Sequence, residues 1–287
     1  MGPAHDRHFT SSQSLMSVFN ASRLQNKTVV VTGATSGIGA AAAVLFAKAG
    51  SNVVLAARRA EILKKVAEQC TVAHKESGLS AGGKFFTLQL DVSDKSQVAS
   101  FWDKIPHDLR DVDILVNNAG FVLGVEHAGD IKDEDIEAMF DTNVLGLISV
   151  SQLFVRHFKS RGSGHLINIG SIAGREPYAA GSIYTATKHA VHAFTASVMR
   201  ELVNTKIRVT EIQPGMVETE FSIIRFRGDV AAAKKVYEGL EPLTGHDVAE
   251  EVVWAASRPD HVQVAEVLVM PVNQASATVN YRAPSKI

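Results

Sequence analysis

The stretch KTVVVTGATSGIG, residues 27–39, decides the fold predicted for this chain. A short run of β-branched residues leads into a turn with three glycines, and the small residues beyond it suit a helix that ends at Gly50. The same pattern recurs. Six further apolar runs indicate strands, at 51–57, 84–92, 112–120, 165–171, 207–215 and 265–271. Helices are predicted between them, at 41–50, 61–70, 96–105, 133–160 and 183–203.

Alternating helices and nearly continuous apolar strands are typical of a parallel sheet covered on both faces. We therefore predict an α/β fold: one doubly wound, Rossmann-type domain over residues 27–287, with a parallel sheet of about seven strands and helices on both faces. The polar, serine-rich residues 1–26 are predicted to be a mobile N-terminal extension, with an organelle transit peptide as the alternative. Loops after strand ends border the ligand crevice in such sheets, so the polar segment 218–246 is predicted to be a substrate lid.

Composition bears on the class of protein. The 287 residues are 46% hydrophobic and 21% charged, and the formal net charge is -1. That balance gives no reason to expect a nucleic-acid or membrane partner, and no apolar run approaches the roughly 20 residues of a membrane-spanning helix. His5 and His8 have no cysteine or acidic cluster beside them to complete a metal site, so no metal is expected. The single cysteine, Cys70, cannot form an internal disulfide, which favours a cytoplasmic protein.

The glycine-rich turn is suited to binding phosphate. Its glycines permit close approach of the main chain to a pyrophosphate, and the helix that follows presents free N–H groups to the anion. The spacing is Gly-x-x-x-Gly-x-Gly rather than the commoner Gly-x-Gly-x-x-Gly, and a plain turn is the alternative interpretation. The residues expected to contact a dinucleotide here are Gly33, Thr35, Ser36, Gly37, Ile38 and Gly39.

The end of the second strand predicts which dinucleotide binds. An NAD site would place a carboxylate about 20 residues further on to hold the ribose 2′-hydroxyl, whereas this chain has Ala57, Arg58 and Arg59. A guanidinium can hold a 2′-phosphate in a bidentate fork, and a charge-assisted hydrogen bond is worth roughly 1.5–3 kcal/mol, about tenfold or more in affinity. NADP is therefore the predicted cofactor; two solvated arginines at the start of a helix are the alternative.

A tyrosine and a lysine lie on one face of a predicted helix. Tyr184 and Lys188 are four residues apart in GSIYTATKHA, residues 181–190. An ammonium ~4 Å from the phenol, at an effective dielectric of ~20, favours the phenolate by roughly 4 kcal/mol. That corresponds to about three pKa units, enough to bring the phenol near a working pH. An ordinary surface pair is the alternative.

The chain resembles the short-chain dehydrogenase/reductase family in the order and spacing of five motifs: TGATSGIG (32–39), NNAG (117–120), Asn143, Ser171 and Tyr184-x-x-x-Lys188. The resemblance covers residues 27 to about 275 and implies a doubly wound sheet, usually of seven strands. A narrower similarity, to the NADP-dependent 3-hydroxy acid dehydrogenases, rests on PGMVETEFSIIRFRGD (214–229), LTGHDVAEEVVW (243–254) and VMPVNQAS (269–276). Those enzymes oxidise serine, allo-threonine and related acids and are usually tetramers.

The resemblance implies a role for each catalytic residue. Tyr184 is expected to exchange a proton with the substrate oxygen, beside a hydrogen bond from Ser171. Lys188 is expected to support Tyr184 and to bind the nicotinamide ribose. Asn143 is expected to hold a water that links Lys188 to solvent. The structural alternatives are a helix cap for Ser171, a buried hydrogen-bonding residue for Asn143 and a packing aromatic for Tyr184.

Further contacts are implied in the same way. Cofactor contacts are expected from Asp91, Val92, Asn118, Gly120, Tyr184, Lys188, Pro214, Gly215, Val217 and Thr219. Loop capping is the alternative for Asp91. Substrate contacts are expected from Ser171, Tyr184, Arg225 and Arg175, with the arginines as partners for a carboxylate. Arg225 ranks first because the resembling motif places it on the lid, and Arg175 could instead pair with Glu176 or a neighbouring subunit.

The predicted function is hydride transfer between NADP(H) and a small 3-hydroxy acid or 3-oxo acid, of the serine, allo-threonine and 3-hydroxyisobutyrate class, in a homotetramer. Two alternatives use the same fold. A broad NADPH-dependent carbonyl reductase would act on ketones or diketones that lack a carboxylate. An NADP-sensing binding protein would bind cofactor without turnover, and the intact set of Asn143, Ser171, Tyr184 and Lys188 argues against it.

Overall fold

The computed structural model describes residues 20–284, and its centre is a parallel sheet. The seven strands of this sheet are β1 (Thr28–Thr32), β2 (Asn52–Ala57), β3 (Phe85–Gln89), β4 (Ile114–Asn117), β5 (Ser163–Ile169), β6 (Lys206–Pro214) and β9 (Glu266–Val269). Their order is β3-β2-β1-β4-β5-β6-β9, and every neighbouring pair is parallel, which confirms the predicted doubly wound α/β fold. Two short strands, β7 (Val217–Glu218) and β8 (Leu243–Thr244), pair with each other outside it.

Helices cover both faces of the sheet. They are α1 (Gly37–Lys48), α2 (Ala60–Ser77), α3 (Lys95–Ala99), α4 (Phe101–Lys104), α5 (Asp133–Phe140), α6 (Leu147–Arg161), α7 (Ser182–Glu201), α8 (Glu220–Arg225), α9 (Val230–Lys235) and α10 (Gly245–Ala256). Helices α1, α2 and α10 pack one face around Phe46, and α4, α6 and α7 pack the other around Phe101 and Phe154. Every residue of β1 and β2 is buried, which explains why their sequences are mostly apolar.

The strand order reverses between β1 and β4. The chain runs outward from β1 through β2 to β3, then returns to the other side of β1 to form β4. In a doubly wound sheet this reversal opens a crevice at the carboxyl ends of the two strands. The glycine turn follows β1 and the NNAG segment follows β4, so both motifs lie at that crevice.

Two of the predicted helices are interrupted in the structure, and a third begins earlier than predicted. The segment 133–160 consists of α5, a π-helical turn at Asp141–Gly146 and α6, and Asn143 lies in the turn, where its side chain bonds the main chain of Phe121. The segment 96–105 is divided into α3 and α4 at Ser100, whose hydroxyl donates to the Gln97 carbonyl. Helix α1 begins at Gly37, because the turn glycines also form its first residues.

The ordered domain begins before the predicted boundary at Lys27. Ala21–Leu24 form a 3₁₀ turn, the Leu24 side chain is buried in the core, and the Leu24 carbonyl accepts a hydrogen bond from Ser51 Oγ at 2.8 Å. The packed domain therefore includes Ala21–Leu24, and the mobility of the extension stays a prediction. The remainder of that extension, residues 1–19, lies outside the described residues, as do His5 and His8.

Among the described residues, one helical stretch is long and apolar enough to cross a membrane by length and composition alone. It runs from Asp133 to Arg161, and 56% of its most apolar window is buried inside the protein. Phe154 and Phe158 of this stretch are fully buried against the sheet, as expected of a core helix. Within residues 20–284, no group of three His, Cys, Asp or Glu side chains is arranged to hold a metal ion.

Candidate active site

A cavity of about 570 Å³ opens at the carboxyl ends of the central strands. It collects most of the residues predicted from the sequence. Those that line it are Gly33, Thr35, Ser36, Gly37, Ile38, Arg58, Arg59, Asp91, Val92, Asn118, Gly120, Ser171, Tyr184, Lys188, Pro214, Gly215, Val217, Thr219 and Arg225. Three predicted residues do not line it: Gly39, Asn143 and Arg175.

The glycine turn forms one wall with the shape of a phosphate cradle. Gly33 and Gly37 have φ angles of 66° and 54°, in the left-handed region that favours glycine. A Cβ at Gly33 would lie 2.9 Å from the Cα of Ala119, so the close contact between the glycine turn and the segment after β4 leaves no room for a side chain at Gly33. Asn118 holds the turn through bonds from Nδ2 to the carbonyls of Thr32 and Gly33. Gly37 and Ile38, at the N-terminus of α1, line the cavity, and Ser36 makes no side-chain capping bond to this end of the helix. The first turn of α1 is thus suited to direct its N–H groups at a pyrophosphate.

The two predicted arginines lie at the far end of this wall. The Arg59 guanidinium donates to Thr35 Oγ1 at 2.9 Å and to Ser36 Oγ at 3.2 Å, and it forms an ion pair with Glu220 at 2.9 Å. The Arg58 guanidinium lies 6.0 Å from the ring centre of Phe121. Both side chains are exposed at the cavity rim, where a phosphate group would meet two positive charges.

The residues that end β3 serve the loop as well as the cavity. Asp91 Oδ1 accepts from the main-chain N of Ser93 at 3.0 Å and from its hydroxyl at 2.6 Å. The loop-capping alternative considered for Asp91 is thus present in the structure. Since Asp91 and Val92 also line the cavity, the predicted contact with the adenine end of a nucleotide remains open to them.

Tyr184, Lys188 and Ser171 meet at the other end of the cavity. Tyr184 and Lys188 lie on one face of α7, and each is 8% exposed. Lys188 Nζ donates to the Ile169 carbonyl at 2.9 Å and lies 5.8 Å from the centre of the Tyr184 ring. Ser171 follows β5, and its hydroxyl oxygen caps a short 3₁₀ turn by accepting a hydrogen bond from the Ala173 N–H. The capping role considered as an alternative is therefore present, and it uses one lone pair of the oxygen. Its O–H remains able to donate.

The predicted lowering of the Tyr184 pKa is wrong. Burial raises the pKa of the phenol above its ordinary value, and the hydrogen bond with Ser171 and the charge of Arg225 oppose that rise only in part. Lys188 does not reverse it, because its ammonium is directed at the Ile169 carbonyl rather than at the phenol oxygen. Burial also lowers the pKa of Lys188 to about 8, against which the charge of Glu211 acts.

Asn143 lies one layer behind the cavity. Its Oδ1 accepts from the Phe121 N–H at 2.9 Å, and its Nδ2 donates to the Phe121 carbonyl at 2.8 Å and to Thr187 Oγ1 at 3.3 Å. Thr187 in turn donates to the Tyr184 carbonyl at 2.7 Å. Asn143 therefore ties the loop after β4 to the helix that carries Tyr184, as its structural alternative describes. Its predicted water-holding role stays a prediction.

The predicted lid segment contains two short helices, α8 and α9, between β7 and β8. Both of its ends pack on the phosphate turn: a Cβ at Gly37 would lie 3.1 Å from Thr219 Cγ2, and one at Gly245 would lie 2.6 Å from the carbonyl carbon of Gly37. Thr219 caps α8 by accepting from the Phe221 N–H. The segment is thus anchored on the glycine turn, and it also lines the cavity beside Tyr184, against which Phe221 packs.

Arg225 connects the lid to the opposite wall. Its Nη2 donates to the Ala180 carbonyl at 2.8 Å and its Nε to the Gly124 carbonyl at 3.3 Å, and the guanidinium lies 5.6 Å from the Tyr178 ring centre. These contacts use two of its five N–H groups, so others remain for an anion in the cavity.

The structure does not bring Arg175 to the cavity, so nothing in this geometry supports its predicted contact with substrate. Its Nε donates to Gln213 Oε1 at 2.5 Å, and its Nη2 forms an ion pair with Glu266. The expected partner Glu176 instead accepts from the Ala277 N–H. Arg175 and Glu266 are far apart in sequence, so nothing local could reveal their pairing.

Several residues that line the cavity were missed. Phe221 packs edge-on against Tyr184 at 5.5 Å, and Tyr237 bonds Ser222 and the Val217 carbonyl. Phe221 lies in the motif 214–229, four residues before Arg225, and this closeness in sequence could have predicted that Phe221 lines the cavity. The other missed lining residues with polar or aromatic side chains are Phe121, Thr142, Tyr178, Glu220, Ser222, Gln274, Asn280 and Arg282.

Comparison with known proteins gives consistent matches along the chain. A sequence model of the short chain dehydrogenase family matches residues 27–227. The NADP-dependent 3-hydroxy acid dehydrogenase of Schizosaccharomyces pombe is 40% identical over 262 residues, which are 91% of this chain and 98% of that protein. Sulfoacetaldehyde reductase 2 of Chromohalobacter salexigens is 41% identical over 248 residues, 86% of this chain and 95% of that protein. The closed form of a serine dehydrogenase complexed with NADP+ matches with a TM-score of 0.81 at 38% identity, covering 90% of this chain and 100% of that one.

Proposed function

The chain belongs to the short-chain dehydrogenase family and is an NADP-dependent oxidoreductase, and we propose that it converts small 3-hydroxy acids reversibly to 3-oxo acids. One observation carries this proposal: Tyr184, Ser171 and Arg225 line the same end of one cavity. They offer a substrate a proton donor, a second hydrogen-bond donor and a cation for a carboxylate. The names of the S. pombe relative and of the serine dehydrogenase point to the same class of substrate.

NADP is the cofactor, as predicted, and the residues of the cavity fit it. The turn at 33–39 suits the pyrophosphate, because its glycines leave room for the anion and α1 supplies N–H groups. We assign Arg58 and Arg59 to the 2′-phosphate. When bound, NADP(H) supplies or accepts the hydride at the substrate carbon.

The protein's own residues handle the proton. In the reduction direction, the Tyr184 phenol donates its proton to the substrate oxygen, and in oxidation the phenolate takes it back. Burial keeps the pKa of Tyr184 high, so the phenol is protonated at neutral pH and ready to donate. The phenolate left behind accepts a hydrogen bond from the Ser171 hydroxyl. The ammonium of Lys188, 5.8 Å from the centre of the Tyr184 ring, adds an attraction that is weaker than the effect of burial.

The substrate's acidic group is assigned to Arg225. The lid helix α8 brings this guanidinium to the catalytic end of the cavity, where two or more of its N–H groups remain for a carboxylate. The C. salexigens relative is named for a sulfonated aldehyde, which is also a small anionic substrate. A cation beside Tyr184 would serve either anion, so we propose small anionic substrates as the class.

A second candidate function has a specific observation in its favour. The catalytic end of the cavity also presents apolar side chains, from Ile172, Phe221, Ile224 and Val236. An apolar surface of this kind would accept ketones or diketones, and Arg225 would then serve only to hold the lid through Ala180 and Gly124. The chain would in that case be a broad carbonyl reductase.

A steady-state assay with matched substrates separates the two functions. NADP and NAD are offered in parallel with serine, allo-threonine, 3-hydroxyisobutyrate and 3-hydroxybutyrate, and with alcohols that lack the carboxylate. We expect turnover of the acids with NADP, and an Arg225→Met variant with KM for the acids raised about 10- to 100-fold, the worth of a charge-assisted bond. The matched control is Arg282→Met, because Arg282 also lines the cavity but donates to the Glu238 and Val236 carbonyls. Equal turnover of plain alcohols would favour the carbonyl reductase.

We also propose that the protein is cytoplasmic and that residues 218–246 act as a lid.

We further propose that the chain assembles as a homotetramer. Assembly is supported by large apolar side chains exposed on and after the edge strand β9: Leu268, Val272, Val279 and Tyr281. A second copy would cover them. Sedimentation velocity at micromolar concentration reports the mass directly, and a monomer would reject the proposal.

A further inference from the structure

A buried carboxylate lies behind the catalytic pair and has no part in the proton transfer described above. Glu211, on β6, is 1% exposed. Its Oε2 accepts a hydrogen bond from His192 Nδ1 at 2.8 Å, whereas its Oε1 is buried and has no hydrogen-bond partner in residues 20–284. A buried carboxylate oxygen without a partner is unfavourable unless a positive charge compensates it.

The unpartnered oxygen adjoins the main chain that positions the catalytic residues. A Cβ at Gly170 would overlap Glu211 Oε1, so only glycine fits there. Gly170 lies between Ile169, whose carbonyl accepts from Lys188 Nζ, and Ser171. The carboxylate and the ammonium therefore adjoin the same three residues of main chain, in a buried region where charges are weakly screened.

We propose that Glu211 is a positioning residue that supplies the buried counter-charge of Lys188 and so keeps the ammonium protonated during turnover. The inference rests on the proposed role of Lys188 beside Tyr184. Burial lowers the pKa of Lys188 to about 8, and the negative charge of Glu211 is the influence that raises it. Without that charge the Lys188 pKa would fall further, and the ammonium would be lost closer to neutral pH.

The other charged groups around Glu211 are already paired. From α7, Tyr184 is protonated at neutral pH and His192 donates to Glu211 itself. From β9, Glu266 is in register with Glu211 but is neutralised by the Arg175 guanidinium. The field of Glu211 at Lys188 is therefore not duplicated by a neighbouring carboxylate.

The test is a titration of Lys188 in protein without cofactor. Lysine carrying ¹³C at Cε is incorporated, the Lys188 signal is assigned from its loss in Lys188→Met, and its shift is followed against pH by NMR. In Glu211→Gln the titration midpoint is expected to fall by about one pH unit, the usual effect of removing a close opposite charge. Glu266→Gln is the matched control, the same change in register on the adjacent strand, and should move the midpoint by less than a quarter as much.

Glu211→Asp keeps the negative charge but moves it farther from Lys188, because the side chain is one methylene shorter. The Lys188 titration midpoint of this variant should therefore lie between those of the wild type and Glu211→Gln. It also decides the question if Glu211→Gln does not fold: a midpoint at or above the wild-type value would overturn the inference. So would an unchanged midpoint in Glu211→Gln, or an equal fall in Glu266→Gln.

Activity gives a second readout. The alkaline limb of kcat/KM for carbonyl reduction should move to lower pH in Glu211→Gln by the shift seen in the titration, and a limb that stays in place would overturn the inference. If no substrate is turned over by the wild type, the proposed function fails, while the NMR titration still decides the role of Glu211.

Discussion

The two ends of the cavity differ in how their charged groups are held. At the end proposed for catalysis, Tyr184 and Lys188 are each 8% exposed, and the ammonium is bonded to a main-chain carbonyl. At the end proposed for the 2′-phosphate, the Arg59 side chain is 46% exposed, and its partners are the side chains of Thr35, Ser36 and Glu220. Burial shifts pKa values strongly at the first end, whereas exposed ion pairs exchange partners with little change in free energy. Substitutions at the buried end should therefore abolish turnover, whereas substitutions at the exposed end should change the affinity for NADP.

The largest effect is expected from Tyr184→Phe. It removes the hydroxyl that we propose exchanges the proton, while keeping the ring that packs against Phe221. We expect kcat to fall about 10²- to 10⁴-fold, the usual contribution of a general acid or base, with the Kd for NADP nearly unchanged in a fluorescence titration. Tyr237→Phe is the control, since Tyr237 also lines the cavity but bonds Ser222 and the Val217 carbonyl. A large loss of NADP binding in Tyr184→Phe would assign Tyr184 to binding rather than to chemistry.

The next effect concerns the exposed end. Replacing Arg58 and Arg59 by alanine removes the two cations that we assign to the 2′-phosphate, a group that NAD lacks. We expect the Kd for NADP to rise about 10- to 100-fold, the worth of one or two charge-assisted hydrogen bonds. NAD serves as the internal control and should bind as before. Equal weakening of both dinucleotides would reject the 2′-phosphate role and the contrast between the two ends.

The sequence allowed more to be predicted about which residues meet than about how they bond. The glycine turn, Ser171 and Tyr184 are brought to one cavity as expected, because strand ends and helical spacing are local properties that a parallel sheet converts into proximity. The sheet of seven parallel strands was predictable for the same reason.

The features that were mispredicted depend on distant partners. The i, i+4 spacing puts Lys188 on the face of Tyr184, yet it does not say that the ammonium reaches Ile169 or that burial governs both pKa values. Arg175 is removed from the site by Glu266, a pairing between distant segments. Leu24 is buried in the core, although its own segment is polar. Such outcomes follow from tertiary packing, which local pattern does not encode.

The smallest effect, and the finest test of the comparison, is expected from Glu220→Gln. Glu220 begins α8 and accepts from Arg59 Nη2 at 2.9 Å, so it competes for the guanidinium that a 2′-phosphate requires. Since exposed ion pairs are worth about 0.2–1 kcal/mol, we expect the Kd for NADP to fall about two- to fivefold, with the Kd for NAD unchanged. Glu218→Gln makes the same charge change two residues earlier and should leave both constants as they are. Weaker NADP binding in Glu220→Gln would mean that Glu220 holds Arg59 in its binding position. The position of the exposed Arg59 would then be fixed by its partners, as that of the buried Lys188 is.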